Sequence, residues 1–233
     1  MSLSTNLLAY YAYQGNSNDS VGSNNGTDTS VSYSNSYGII GNGASFNGST
    51  SFISTSSPVV NSGTTFSFST WIYSTNFSQQ TDSTILSNQK DTGNYGFIFG
   101  NHNNSSNSWQ VFYGNGSGAW QGYGANDFTL TNSAWNHIVA TINGNVLTVY
   151  KNATQIFQAT YANNMNFSSA NNLYIGRDPD PTHQGVRNFT GYIDETGIWN
   201  KVLSSTEVTQ LYNGGAGLAY PFTINNANFM AFM

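Results

Sequence analysis

A suitable pair of carboxylate side chains could hydrolyse a glycosidic bond. Such hydrolysis needs two carboxyl groups about 5–5.5 Å or 6.5–9.5 Å apart across a cleft. The chain of 233 residues has only two glutamates, Glu195 and Glu207, and Glu207 stands in helix-capping register with Ser204. The glycine-rich run 114–118 has its serine in the wrong position for a nucleophile elbow. The sequence therefore predicts that the protein is not an enzyme.

Aromatic residues in a polar, glycine-rich stretch indicate another chemistry, the binding of sugars. Sugar faces stack on exposed aromatic rings, and polar loop groups then fix the hydroxyls. For any single aromatic residue, packing in the core is the commoner role, so that alternative stays open. Trp120 and Tyr123 are the best candidates for exposure, because glycines flank both. The complete set of candidate glycan-binding residues is Trp120, Tyr123, Trp109, His183 and Arg187.

The charge composition excludes several kinds of partner. Charged residues make up only 6% of the chain, and the net charge is −5. The five Lys and Arg residues are scattered, so we expect no nucleic-acid partner. No run of about 18 apolar residues is present, which predicts no membrane-spanning segment. Residues 1–10 lack the basic start and apolar core of a secretory signal, so no signal peptide is expected.

Short strands separated by turns are expected along almost the whole chain. The segment 66–71 alternates with period two, which is typical of a half-buried strand. The segments 137–142 and 146–151 flank an Asn-Gly-Asn turn and predict a β-hairpin. The one predicted helix, at about 204–212, begins with a capping box of Ser204 and Glu207. Together these features predict a single all-β sandwich.

Several segments follow one another in an informative order. They are the Asn/Gly-rich loop 15–26, the strands of 43–53, the Trp strand 66–72, and the segments 135–140, 173–177 and 192–208. Together they resemble the laminin-G-like, concanavalin A-like jelly-roll family. The resemblance covers roughly residues 7–222. It implies an all-β, antiparallel two-sheet jelly-roll sandwich over 1–222, with one short C-terminal helix at about 204–212.

The same resemblance implies a structural calcium ion between the first loop and a late strand. By this resemblance its ligands are Asp19, Asn24 and Asp194, whose oxygens are of the kind calcium prefers. The alternative for Asp19 is an Asx-turn, a common role of Asp in loops. Asp178 and Asp180, interleaved with prolines, are expected to be solvated carboxylates in a rigid turn.

The C-terminal tail, residues 223–233, is unusually apolar. Its large side chains are Phe229, Met230, Phe232 and Met233, which we interpret as contacts to a partner. Each would gain about 1.5–3 kcal/mol from full burial. Two alternatives stay open, packing on the chain's own sandwich and insertion into a neighbouring subunit.

Two functional classes compete. In the first, the protein is a non-catalytic structural or adhesion component of a virion, such as a decoration, tail or fibre protein. It would then be located on the virion or outside the cell. Its N-terminal residues resemble laminin-G-like proteins of tailed phages. Its partners would be other virion proteins, copies of itself, and surface glycans. In the second class, it is a soluble or secreted carbohydrate-binding module of a bacterium.

Overall fold

Two antiparallel β-sheets stacked face to face form the protein. The computed structural model describes residues 2–102, 106–125, 127–180 and 187–223. The strands of this part of the chain are β1 (Leu7–Tyr11), β2 (Gly26–Thr29), β3 (Ser32–Ser34), β4 (Gly43–Asn47), β5 (Phe52–Thr55), β6 (Thr65–Ser74), β7 (Ser83–Ser87), β8 (Phe97–Asn101), β9 (Gln110–Gly114), β10 (Trp120–Gln121), β11 (Ala134–Asn143), β12 (Val146–Lys151), β13 (Thr154–Thr160), β14 (Tyr174–Ile175) and β15 (Thr190–Trp199). The α-helix α1 spans Ser205–Tyr212.

The two sheets have the order expected of a jelly roll. Among the described residues, one sheet has eight strands in the order β13-β12-β11-β6-β15-β4-β3, with β1 paired to β15. The other has seven strands in the order β10-β9-β8-β7-β14-β5-β2. The predicted all-β jelly-roll sandwich with one short helix is therefore confirmed. None of the helices in the described part of the chain has the length and apolar character needed to cross a bilayer.

Aromatic side chains from both sheets fill the space between them. Phe66 of β6 lies against Phe97 of β8, with ring centroids 4.6 Å apart. Phe68 and Phe99, two residues further along the same strands, have centroids 5.6 Å apart. All four side chains are fully buried. Burying a large apolar side chain stabilises a protein by about 1.5–3 kcal/mol, so these contacts determine which face of each strand points inward.

A second apolar layer covers part of the outer face of the eight-stranded sheet. Val208 of α1 belongs to one buried cluster with Val139 of β11 and Trp199 of β15. The prediction that β6 is half-buried is therefore wrong. Its outward-facing residues Ser67 and Ser69 are buried too. Ser67 Oγ donates to the Lys201 carbonyl and accepts from the Leu203 amide in the segment before α1, and Ser69 Oγ is hydrogen-bonded to His137 Nε2 of β11.

The predicted hairpin is present at one end of the eight-stranded sheet. β11 pairs with β12, and Asn143 opposes Val146 across the turn. Gly144 occupies the turn with φ +64°, a conformation that glycine adopts at no steric cost. β13 follows as the edge strand and, among the described residues, pairs with β12 alone.

The capping box of α1 is formed as predicted. The Glu207 amide donates to Ser204 Oγ at 3.3 Å, and Glu207 Oε2 accepts from the Ser204 amide at 2.9 Å. Lys201 Nζ lies 2.6 Å from Glu207 Oε1. The helix ends at Asn213, which takes the left-handed conformation common at C-caps. The helix is thus fixed at both ends by local interactions.

We expect Ser204→Ala to lower the free energy of unfolding by about 1 kcal/mol, because a helix amide then loses its side-chain acceptor. Urea denaturation followed by circular dichroism measures this difference. Ser205→Ala, one residue into the exposed first turn, is the matched control and should change stability by less than about 0.5 kcal/mol. Equal effects of the two substitutions would contradict a capping role for Ser204.

Candidate functional site

A pocket of about 230 Å³ opens on the outer face of the seven-stranded sheet. Ile98 of β8 and Phe112 of β9 are cross-strand neighbours and both line it. Their outward direction follows from strand alternation, because Phe97 and Phe99 flank Ile98 and point into the core. The remaining lining residues are Gln89, Asp91, His102, Trp120, Tyr123 and Arg187.

Two aromatic residues form one side of the pocket around Phe112. The Trp120 ring packs edge-on against Phe112 with centroids 5.5 Å apart, and the Tyr123 ring does so at 5.2 Å. The Tyr123 hydroxyl donates to the His102 carbonyl at 2.9 Å, while 51% of the residue remains exposed. Trp120 is half-buried. The two residues that the sequence singled out for exposure therefore lie at the surface of one pocket.

A polar cluster also borders the pocket, through its members Gln89 and Arg187. Arg187 Nε donates to Asp82 Oδ1 at 2.8 Å, and Arg187 Nη1 donates to Asp178 Oδ2 at 2.9 Å. Gln89 Nε2 lies 2.6 Å from both carboxylate oxygens of Asp178. Burial lowers the pKa of Arg187, but the hydrogen bonds and charges of Asp178 and Asp82 more than offset this, so the net shift is upward. The guanidinium therefore stays charged and is held in place by two acids.

The expectation of solvated carboxylates at Asp178 and Asp180 is wrong. Both residues are buried. Asp178 accepts from Arg187 and Gln89, and Asp180 Oδ2 accepts from the Asp91 amide at 3.1 Å. A buried charge is tolerated when it is paired and hydrogen-bonded, and these contacts supply both conditions.

Two predicted glycan-binding residues do not belong to the described pocket. Trp109 is fully buried, and its ring packs edge-on against Phe77 with centroids 5.6 Å apart. It cannot present a ring face to a ligand, so the structure corrects this prediction in favour of the core alternative. His183 lies outside the described residues.

Asp19 organises the first loop through backbone amides. Its Oδ1 accepts from the Tyr10 and Val21 amides, both at 3.0 Å. Its Oδ2 accepts from the Asn24 amide at 3.1 Å and from Asn24 Nδ2 at 3.4 Å. The bond to the residue two positions on is an Asx-turn, which is the alternative that the sequence analysis left open.

Asp194 has a separate set of donors. Its Oδ2 accepts from the Ile39 and Ile40 amides at 2.9 and 3.0 Å, and its Oδ1 accepts from the Glu195 amide at 2.9 Å. Backbone N–H groups thus point at both oxygens of Asp194, as they do at both oxygens of Asp19. These residues do not fit one shared calcium ion, because donors occupy the positions where a cation would need lone pairs. Among the described residues, no group of three or more His, Cys, Asp or Glu is arranged to hold a metal.

Glu195 is a buried acid beside Asp194. The Tyr10 hydroxyl donates to Glu195 Oε2, and Glu195 Oε1 is buried without a hydrogen-bond partner. Burial raises the pKa of Glu195 from 4.5 to about 7, and burial together with the Glu195 charge raises the pKa of Asp194. Asp194 receives three N–H bonds and Glu195 receives one hydroxyl bond, but burial outweighs them at both carboxyl groups, so the folded pair still holds a proton near neutral pH.

Comparison of the sequence with known families identifies the class of protein. The concanavalin A-like lectin/glucanases superfamily (Laminin_G_3) matches residues 47–209, more than half of the chain. The chain belongs to this family. A search of curated protein sequences gave no match.

Solved structures with the same fold include carbohydrate-binding proteins. Domain 4 of AbnA, a GH43 extracellular arabinanase from Geobacillus stearothermophilus, was solved in complex with arabinotriose. It is 23% identical, with a TM-score of 0.69, over 87% of this chain and 96% of that domain. A structure of botulinum neurotoxin type C, whose cell entry depends on two ganglioside molecules, is 15% identical with a TM-score of 0.69. The match covers 89% of this chain but 51% of the toxin structure, so the chain spans about half of its length.

Chelation of calcium with EDTA should leave the thermal unfolding midpoint unchanged, because backbone amides already satisfy Asp19 and Asp194. Differential scanning calorimetry with and without EDTA checks this. A fall of more than about 2 °C that added calcium reverses, and magnesium does not, would restore the calcium interpretation.

We expect Glu195→Gln to gain stability relative to the wild type as the pH rises from about 5 to about 8. Folded Glu195 keeps its proton up to about pH 7, whereas the unfolded carboxyl loses it near 4.5. Its stabilising effect is therefore complete at low pH and is lost as the pH rises through 7. The two states differ by about one bound proton over roughly 2 pH units within this range, so at about 1.4 kcal/mol per unit the relative gain is about 2.5 kcal/mol.

The stability of Glu195→Gln must be compared with that of the wild type at each pH. Burial lowers the pKa of His137 to about 3, so His137 weakens the fold as the pH falls below 6.5 and opposes the effect of Glu195. Urea denaturation of both proteins at each pH cancels this contribution. Glu207→Gln is the matched control. Burial raises the pKa of Glu207, but the contacts with Lys201 and Ser204 lower it by more, so the net shift is downward. The stability difference between Glu207→Gln and the wild type should therefore stay flat from about pH 5 to 8. A flat difference for Glu195→Gln would contradict the raised pKa of Glu195.

Proposed function

We propose that the protein is a non-catalytic carbohydrate-binding domain that binds its ligand in the pocket between Trp120, Tyr123 and Arg187. One observation carries the proposal. These three residues are separated by up to 67 positions in sequence, yet they line a single pocket of about 230 Å³. They are three of the five residues that the sequence indicated for glycan binding.

The chemistry of the pocket suits a sugar. A sugar has apolar C–H faces and a rim of hydroxyl groups, so it needs ring surface and hydrogen-bonding groups together. Phe112, Trp120 and Tyr123 supply ring surface, and Gln89 and Arg187 supply polar groups. Because Asp82 and Asp178 hold Arg187 in place, little side-chain freedom is lost when a ligand binds.

The position of the acids supports binding without hydrolysis. Asp91 is the carboxylate residue among the described residues that line the pocket. Asp178 is buried behind Gln89 and Arg187, Glu207 caps α1, and Glu195 is buried against Tyr10. This arrangement does not provide two carboxylates facing each other across the pocket, as glycoside hydrolysis needs.

The fold supports the proposal at the level of class. The arabinanase domain binds arabinotriose, and cell entry of the type C toxin depends on gangliosides. We infer that this chain likewise takes an oligosaccharide or the glycan part of a larger molecule.

For the biological setting we propose adhesion from the surface of a virion. The support is the resemblance of the N-terminal residues to laminin-G-like proteins of tailed phages. The partners would be other virion proteins or copies of the chain, contacted through Phe229, Met230, Phe232 and Met233, which lie outside the described residues. The alternative is a soluble or secreted bacterial module. Copies of the chain on purified particles would distinguish the two.

Trp120→Ala should weaken glycan binding at least tenfold, about 1.4 kcal/mol, because it removes most of one aromatic wall. Affinity electrophoresis in native gels cast with arabinan, xylan or β-glucan measures the change as lost retardation. Trp120→Phe retains a ring and should keep most of the retardation. Since Trp120 is half-buried, the alanine variant should remain folded, and a collapse in thermal stability would show that Trp120 is a core residue. Unchanged retardation in every gel would contradict the proposed pocket.

A further inference from the structure

A row of aromatic side chains crosses the outer face of the eight-stranded sheet, opposite the pocket. Tyr192 of β15 opposes Tyr73 of β6, and Tyr73 opposes Trp135 of β11. The Tyr73 and Tyr192 rings are nearly parallel, with centroids 5.5 Å apart, and Tyr37 stacks on Tyr192 at 4.6 Å. We call Tyr37, Tyr192, Tyr73 and Trp135 the aromatic row.

The aromatic row lies just beyond the area that α1 covers. Tyr212, the last residue of α1, stacks on Trp71 with centroids 5.6 Å apart. Tyr73 is two residues further along β6 and on the same face, and it is half-buried rather than buried. All four residues of the row keep part of their surface exposed. Clustered aromatic surface that the fold leaves partly exposed makes this face a candidate binding site.

A second cavity, of about 210 Å³, lies beside the row. Its walls include Tyr73 and Tyr192 together with four hydroxyl side chains, Ser45, Ser74, Thr75 and Thr190. None of the residues that line it is charged; the others are Phe46 and Gly191. Gly191 takes φ +147°, and a Cβ there would lie 2.2 Å from the Tyr73 carbonyl, so glycine is required for β15 to approach β6 this closely.

We propose that this cavity is a second carbohydrate-binding site, specific for a neutral sugar. The argument for this occupant is chemical. Tyr73 and Tyr192 offer aromatic surface to the C–H groups of a sugar, and the hydroxyls of Ser45, Thr75 and Thr190 offer hydrogen bonds to its rim. The absence of charge among the cavity's lining residues disfavours an anionic or cationic ligand. The volume is below the range of about 300–1,000 Å³ of sites for drug-sized ligands, so it suits one or two sugar rings.

The inference does not depend on the proposed pocket, since the two sites share no residue. If both are occupied, one domain holds sugar on two opposite faces. A domain of this kind would bridge two polysaccharide chains and gain affinity for a surface on which glycans are dense.

The test compares the wild type with four variants by affinity electrophoresis in gels containing arabinan, xylan or β-glucan. We expect the Tyr73→Thr/Tyr192→Thr variant to lose at least threefold in affinity for one polysaccharide. In the gel containing that polysaccharide, Trp120→Ala should keep residual retardation. Combining all three substitutions should abolish the retardation. Threonine suits a strand, and the matched Tyr73→Phe/Tyr192→Phe variant keeps both rings and should bind like the wild type. Unchanged retardation of the threonine variant in every gel, or no retardation of the wild type in any, overturns the second site. Unchanged retardation of Trp120→Ala alone overturns only the pocket.

Two further measurements keep the test decisive if the threonine variant fails to fold. The first titrates wild-type protein with arabinotriose, xylotriose and cellotriose and follows backbone amide shifts by NMR. The amides of Thr75 and Thr190 should shift with at least one trisaccharide, and no shift with any of them overturns the inference. The second is sedimentation velocity. If the wild type is oligomeric and Tyr192→Thr is monomeric, the row is an interface between copies, which also overturns it.

Discussion

The contact of Phe66 and Phe68 with Phe97 and Phe99 is the constraint on which both candidate sites depend. These rings must lie between the sheets, and strands alternate strictly, so the intervening residues must face outward. On β8 this turns Ile98 to the outer face of the sheet, where it lines the pocket. On the eight-stranded sheet the same rule places Tyr73 outward, beside the core residue Ile72. A shift of one residue in either strand would bury the sites and expose the core.

Several of the few charged groups in the described chain have structural roles. Arg187 joins Asp82 to Asp178, and Lys201 supports the capping box of α1. Because only 6% of the residues are charged, hydroxyl and amide groups supply most of the polar surface. Such a surface resembles the hydroxyl-rich surface of a polysaccharide in chemistry, and binding then depends on ring contacts and directed hydrogen bonds rather than on net charge.

Local patterns in the sequence predicted the local structure well. The capping box at Ser204 and Glu207 and the turn at Gly144 depend on neighbouring residues alone, and both formed as predicted. Trp120 and Tyr123 could be recognised as surface residues because glycines flank them. The family was recognisable from the order of its segments.

Features that depend on long-range contacts could not be predicted in the same way. The Ser67 hydroxyl is buried against Lys201 and Leu203, which lie more than a hundred residues away in sequence. Asp178 is buried because Gln89, eighty-nine positions earlier, reaches it. The lining residues Ile98 and Phe112 were missed because both strands are apolar on both faces, so only the register shows which residues point outward.

The open side of β13 has a consequence for how the protein behaves at high concentration. An edge strand presents backbone N–H and C=O groups that can pair with another chain. The sequence Thr154–Thr160 contains no Lys, Asp, Glu, Arg or Pro, the residues that usually discourage such pairing, and Ile156 is 40% exposed. The main protection is the irregularity in the pairing of β12 with β13 near Val149 and Tyr150, which adds local twist to the ribbon. Where many copies stand side by side, this edge favours lateral alignment through strand addition.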